Sequence, residues 1–274
     1  MDIGIKIHIY EEPDRLERFF LSNGTEPLSD SSINSYYKKH IRKARKPWRI
    51  LTNDELDQLI LDTFDVDYRH NIGIIKIPEY IQDRFNKLKI INTYKDLDEI
   101  KKTNSTMYLE ALDSLNEYFE KYLFSDEKIH KIGFHIGSPN REAATMNENG
   151  TYTGFHVDYW DELSLSKIET ATNRICVNLG QNDRFFLFIN LTLKQIYIKI
   201  NVANKKAFHE YDNQELLRLF FNLFPNYPVI KIRIKPYEAY IAPTENMIHD
   251  GSTEGNHSTD ITLTTRGYFQ IGIE

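Results

Sequence analysis

The sequence predicts an α+β chain with a mainly β core, a barrel or jelly roll with N-terminal helices packed on it. Three observations carry this. Helical patterns concentrate before residue 130, and short apolar runs separated by Asn, Asp, Gly and Pro clusters fill the rest. The chain holds 17 Tyr and 16 Phe, and its 13% aromatic content favours strands. At 274 residues it can bury a sizeable core without disulfides. The change of texture divides it into a mainly helical region, 1–130, and a strand-rich core, 131–274. Helices that cover a sheet belong to the same core, so one integrated unit is an equal expectation.

In chain order, residues 11–21 read as a helix stopped at Ser22-Asn23-Gly24. Residues 32–46 are polar and basic, up to Pro47. Lys38, Lys39, Arg42, Lys43, Arg45 and Lys46 read there as a solvated helix face, with steering of an anionic substrate as the alternative. Thr52-Asn53-Asp54-Glu55 is a capping box, in which the hydroxyl accepts one free N–H and the carboxylate reaches back to another. The helix it opens carries Leu56, Leu59, Ile60 and Phe64 on one stripe. Residues 72–77 read as a strand closed by Pro78, and Leu109, Leu112, Leu115, Phe119 and Leu123 mark a helix over 106–123.

Beyond residue 130, strands are expected at 132–136, 152–158, 174–179, 184–191, 195–202, 229–234, 239–242, 247–249 and 260–271. One helix interrupts them, capped by Asp212 with Glu215 in its first turn, and ended by Pro225. The loop 137–150 is long and polar enough to serve as a lid.

Composition excludes several classes. The single cysteine, Cys176, rules out an internal disulfide and Cys-based zinc sites, and it points to a reducing, cytoplasmic setting. No apolar stretch approaches the roughly 20 residues of a membrane span. Residues 1–10 lack the apolar block of a secretory leader. A formal net charge of -6 argues against a general nucleic-acid binder. Neither a phosphate-binding glycine loop nor a nucleophile elbow is present.

Among nine histidines, only His156 has an acidic residue two positions on, in Gly154-Phe155-His156-Val157-Asp158. In an extended segment these two side chains share a face, so an imidazole nitrogen and a carboxylate oxygen reach one cation. By itself this pairing is weak, since an exposed strand with a polar face looks the same. His249, at the end of an apolar segment before an Asp-Gly turn, offers a third ligand. His257 is its rival, but lies in a loop-like stretch where a ligand is poorly held. On the last strand candidate, Thr264, Arg266 and Tyr268 share a face, where a planar guanidinium flanked by hydroxyls suits a carboxylate.

With these residues in this order, residues 131–274 resemble the iron(II)- and 2-oxoglutarate-dependent dioxygenases. The resemblance implies a double-stranded β-helix, a jelly roll of cupin-like form with N-terminal helices packed on it. It implies Fe(II) held by His156, Asp158 and His249, O2 as oxidant, and 2-oxoglutarate as co-substrate. It assigns Arg266 to the far carboxylate of 2-oxoglutarate, aided by Thr264 or Tyr268. Asn178, inward on the strand after the ligand pair, is a further co-substrate candidate. Tyr159, Trp160, Arg174 and Arg184 are candidates for a substrate pocket, with structural roles as their alternatives. Halogenases of this superfamily replace the carboxylate ligand by a small residue, so Asp158 implies hydroxylation. The implied substrate is a small molecule, an amino acid or peptide-like metabolite. The competing readings are a non-catalytic jelly-roll module that binds a ligand, and a zinc enzyme using the same three residues. Arg266 favours the dioxygenase over zinc, which would leave it nothing to anchor.

Overall fold

The structure, a computed structural model, describes residues 2–9, 16–28, 37, 41–61, 69–88, 102, 105–124, 128–147, 149–204 and 211–270. Among them the chain is mainly β, with two large sheets, a small ribbon and five α-helices. The first large sheet has the order β1 (Lys6–Ile9), β6 (Asn71–Lys76), β11 (Glu238–Ala242), β8 (Asn173–Asn178), β13 (Asp260–Gly267), β7 (His130–Gly137). The second has the order β12 (Met247–Ser252), β9 (Arg184–Thr192), β10 (Val229–Ile234), β2 (Phe19–Ser22), β5 (Arg49–Ile50). A ribbon of β3 (Thr25–Pro27) and β4 (Arg42–Ala44) completes the strands.

Alternation along each strand builds three apolar layers. On β8, Ile175 and Val177 face outward and pack with Leu115 and Phe119 of α3 (Ser105–Glu120) and with Ile81 and Phe85 of α2 (Glu79–Lys87). The other face of that sheet turns Ile72, Ile74, Cys176 and Tyr240 toward Phe19, Phe186, Phe188 and Ile232 of the second sheet. Outside the second sheet, Ile189 and Val229 pack on α4 (Leu193–Asn204) and α5 (Asn213–Leu223). The polar residues that alternate with these apolar ones, Arg174 on β8 and Arg184 on β9, turn into the space between the sheets. No described helix is long and apolar enough to cross a membrane.

The capping box at Thr52 and Glu55 is formed and opens α1 (Asn53–Leu59), and Asp212 caps α5 by accepting the Glu215 N–H at 2.7 Å. Strands from the region before residue 130 join both sheets, β1 and β6 extending one and β2 and β5 the other. Three expectations are corrected. Phe19–Ser22 is a strand rather than a helix end, since β10 offers its backbone an antiparallel partner; residues 10–15 lie outside the described residues. Residues 195–202 are helical, not a strand. Thr192 and Gln195 form a reciprocal cap there, and buried Leu193, Ile196 and Ile200 recur at helical spacing. The β-branched residues that suggest a strand, Ile198 and Val202, are exposed on the far side.

The third correction concerns residues 152–158, which are extended but bridge their neighbours only singly, at Tyr152 and His156. Gly154, at φ 65°, breaks the strand just before the ligand pair. The helix α2 and the strand β1 have no counterpart in the sequence reading.

Candidate metal centre

Two backbone hydrogen bonds assemble the site. His156 N–H donates to the His249 carbonyl at 3.0 Å, and His249 N–H donates to the His156 carbonyl at 2.9 Å. This reciprocal pair clamps the 152–158 segment to β12 and sets the two imidazoles side by side, centroids 4.4 Å apart. A third bond, from Asp158 N–H to the Thr244 carbonyl at 3.1 Å, fixes the carboxylate beneath them. His156, Asp158 and His249 each offer one ligand atom within 4.8 Å of the others. Asp158 Oδ1 lies 3.5 Å from His156 Nε2 and 3.8 Å from His249 Nε2.

The ring nitrogens decide what this cluster is for. Nδ1 of His156 lies 2.8 Å from the Gly154 carbonyl, and Nδ1 of His249 lies 3.3 Å from the Met247 carbonyl. A carbonyl only accepts, so each Nδ1 carries the proton and each Nε2 presents a lone pair. Both Nε2 atoms are buried and have no hydrogen-bond partner among the described residues. An orphaned buried acceptor is costly unless something occupies it, and a cation would satisfy both at once. Two neutral imidazoles and a carboxylate on one face are a donor set that fits a divalent transition metal with open positions.

Electrostatics set the two histidines apart. Burial, aided by the neighbouring His156, pushes the His249 pKa down to about 3, so it is neutral and ready to ligate. Burial opposes protonation of His156, but the adjacent Asp158 carboxylate outweighs burial and raises its pKa. Burial likewise opposes the charge on Asp158, yet Arg174 and the two histidines hold its pKa well below the ordinary value. Arg174 Nη1 donates to Asp158 Oδ2 at 2.8 Å, which leaves Oδ1 turned to the histidines. Arg174, a substrate-pocket candidate in the sequence, thus stands behind a ligand carboxylate and orients it. His249 converges on the pair, whereas His257 is exposed on a loop.

Each nitrogen of Arg266 already has an acceptor. Nη1 donates to Glu245 Oε1 at 2.8 Å, Nη2 to Asp161 Oδ1 at 3.2 Å, and Nε to Thr172 Oγ1 at 3.2 Å. Glu245 is fully buried, and its Oε1 also accepts the Trp160 N–H at 2.7 Å. Asp161 in turn accepts the Thr172 N–H at 2.6 Å. This network ties the loop after Asp158 to β13, and nothing in the motif around Arg266 announced Glu245, Asp161 or Thr172. The guanidinium that the sequence offers to a co-substrate carboxylate thus pairs here with Glu245, Asp161 and Thr172. Of its two companions, Thr264 is buried opposite Cys176 on the inner face, whereas Tyr268 donates its hydroxyl to the Thr170 carbonyl at 3.2 Å, outside the interior. The Asn178 amide donates to the Asn182 and Ile234 carbonyls and accepts the Gly180 N–H, holding the turn after β8.

The remaining candidates are dispersed. Arg184, from β9, forms a buried ion pair with Asp260. Trp160 lies over the Arg266 guanidinium at 5.7 Å. Tyr159 and Val157 line a cleft of about 740 Å³ with Leu163, Tyr197, Ile198 and Tyr211, behind the segment that carries the ligands. The 137–150 loop is pinned along β12 by Asn140 N–H to Thr253 O and Ala144 N–H to Gly251 O, not poised as an open lid. Lys43 and Lys46 of the basic run pair with Glu142, and Arg42 binds Thr25 on the β3–β4 ribbon, so the run is not a helix face; Lys38 and Lys39 lie outside the described residues.

No family model matches the chain, and no curated protein is similar to it at a significant level. Among solved structures it is similar to the Kdo hydroxylase KdoO, described as a non-heme Fe(II) alphaketoglutarate dependent dioxygenase in complex with cobalt(II). The two share 12% identity with a TM-score of 0.39, over 73% of this chain and 80% of that one. So distant a likeness transfers no residue roles.

Proposed function

We propose that the chain is an iron(II)- and 2-oxoglutarate-dependent oxygenase that hydroxylates an unactivated C–H bond of a small molecule. The products are the alcohol, succinate and carbon dioxide. One observation carries this reading: the orphaned Nε2 atoms of His156 and His249 face the free Oδ1 of Asp158 in a buried pocket. Three such ligands on one side of a metal leave room for a chelating co-substrate and for O2. Bound iron would supply the redox chemistry that couples decarboxylation of the keto acid to oxidation of the C–H bond.

The chain's own residues do the rest. The Gly154 and Met247 carbonyls keep both Nε2 lone pairs available, and Arg174 keeps Asp158 ionised and aimed. The facing sheets exclude bulk water around the pocket. Fold and compartment follow the same reading: a double-stranded β-helix over 131–274, with strands from 1–130 widening both sheets, in the cytoplasm, where buried Cys176 stays reduced. An amino acid or peptide-like metabolite is the substrate class we favour, as the resemblance implies. Zinc with a bound water is the competing use of the same ligands.

The test needs no substrate. Iron(II) is added anaerobically, followed by 2-oxoglutarate, and the visible charge-transfer band of a chelated ferrous keto acid is sought. The band is expected with the wild-type chain and lost with His249→Ala. A folded, iron-loaded protein that gives no band would sink the proposal and leave zinc chemistry or a binding module.

A further inference from the structure

On the outer face of the second sheet, one lysine is enclosed by aromatic rings. Alternation along β10 turns Ile230 and Ile232 into the core between the sheets and leaves Lys231 and Arg233 on the other face. Phe20 of β2 stands opposite Lys231 in the register, and Phe185 of β9 stands opposite Arg233. Trp48, just before β5, packs with the outer apolar cluster. Lys231 Nζ thus lies 4.2 Å from the centroid of the Trp48 ring, 4.7 Å from that of Phe185 and 5.0 Å from that of Phe20. Lys231 is 8% exposed, and among the described residues it is the only buried lysine. Its ammonium makes no hydrogen bond or ion pair among the described residues.

Lys199 on α4 provides the contrast. Its Nζ also lies over two rings, Phe224 at 5.2 Å and Tyr227 at 5.6 Å, yet it donates to Asp2 Oδ2 at 2.9 Å. Ring faces attract an ammonium, but they do not replace the water or the acceptors that it loses on burial. Burial therefore dominates at Lys231 and brings its pKa down to about 8, with Glu254 opposing the fall and Lys46 and Arg233 adding to it. Glu254 is itself held by Lys46, and Asp183, the carboxylate near Arg233, pairs with that guanidinium at 3.4 Å. A neutral amine carries the lone pair that a nucleophile needs. Arg233 adds a second element, about 7 Å along the same face. Its guanidinium lies over the Phe20 ring at 5.5 Å, and its Nε is buried without a hydrogen-bond partner. A cation with unused donor capacity beside an amine suits an electrophile that carries an anionic leaving group.

We propose that Lys231, caged by Phe20, Trp48 and Phe185, is an acylation site whose reagent is a small acyl phosphate. The Nζ lone pair attacks the acyl carbonyl carbon. The C–N bond forms and the C–O bond to phosphate breaks. Phosphate leaves with that electron pair beside Arg233, and the proton shed by the nitrogen passes to water. The product is a neutral amide, which removes a buried ammonium and lets the acyl methyl pack on the rings. This modification is separate from the metal centre and does not depend on the oxygenase reading.

The experiment incubates the full wild-type chain with acetyl phosphate from about pH 6.5 to about pH 10 and follows each lysine by peptide mass spectrometry. At about pH 7.5, Lys231 should be acetylated at least roughly tenfold faster than Lys199 or Lys194, since few amines of ordinary lysine pKa are neutral there. The Lys231 rate should level off above its lowered pKa. Trp48→Leu opens the cage to water and should erase most of the excess. Arg233→Gln should slow acetyl phosphate more than the uncharged donor N-acetylimidazole at the same lysine. Equal rates at Lys231 and Lys199 in the wild-type chain would overturn the proposal. So would a Lys231 rate still rising beyond about pH 9.5, the mark of an ammonium held by the ring faces. A Lys231 excess that Arg233→Gln leaves unchanged with both donors would overturn the choice of an acyl phosphate.

Discussion

Two buried arginine networks lie near the ligand carboxylate and differ in degree. Around Arg266, all three guanidinium nitrogens have acceptors in Glu245, Asp161 and Thr172, and one buried oxygen, Glu245 Oε2, is left without a partner. Around Asp158, Arg174 and Arg184, donors and lone pairs are left over. Buried polar groups in folded proteins are nearly all paired, so a closed network holds structure and an open one waits for a ligand. The comparison teaches that a strand-borne arginine of the expected type can be a brace, and that the useful signal is unsatisfied capacity rather than residue identity.

The largest expected effect breaks the open network. Asp158→Ala removes the anionic ligand and should abolish iron(II) retention and keto-acid binding, read as metal content after dialysis and as loss of the charge-transfer band. Full retention of both would remove the metal assignment. Next, Arg266→Gln opens the closed network, leaving buried Glu245 and Asp161 without their cation. It should cost about 3 kcal/mol of stability, measured by denaturant unfolding, while keto-acid affinity of the folded protein holds. A variant of wild-type stability would show that the brace is unimportant.

A change of pH acts more gently on the open side. A proton on His156 competes with metal, and its pKa is raised, whereas that of His249 is lowered to about 3. Metal affinity should therefore fall as pH drops through the raised pKa of His156, above the ordinary imidazole value. Cobalt(II) binding by optical titration checks this, and a flat profile would contradict it. The smallest effect lies outside both networks. Thr52→Ala should cost about 1 kcal/mol by removing a helix cap, with metal affinity untouched.

Much of the site was legible because its determinants are local. His156 and Asp158 are two residues apart, whereas the Asp250-Gly251 turn expected after His249 does not form, because both residues continue β12 and pair with Leu187 and Phe186 of β9. Caps at Thr52 and Asp212 were equally plain, since a cap needs only the residues within one turn. The same rule, applied to Thr192 and Gln195, would have exposed α4 as a helix, where β-branched residues pointed instead to a strand. The helix α2 carried a readable signal, Ile81 and Phe85 at i, i+4 after Pro78, while the short strand β1 is decided by its pairing with β6.

By itself, the sequence determined a mainly β chain, without disulfides, that carries a cation-binding triad in the order His156, Asp158, His249. Composition and short-range spacing suffice for that. Only the tertiary structure decided which arginine is free. Arg174, Arg184 and Arg266 look alike along the chain, and their carboxylate partners lie 16, 76 and, for Glu245, 21 residues away. Whether a guanidinium is saturated depends on what the facing sheet and the crossing loops bring to it, and chain-distant contacts of that kind leave no local pattern to read.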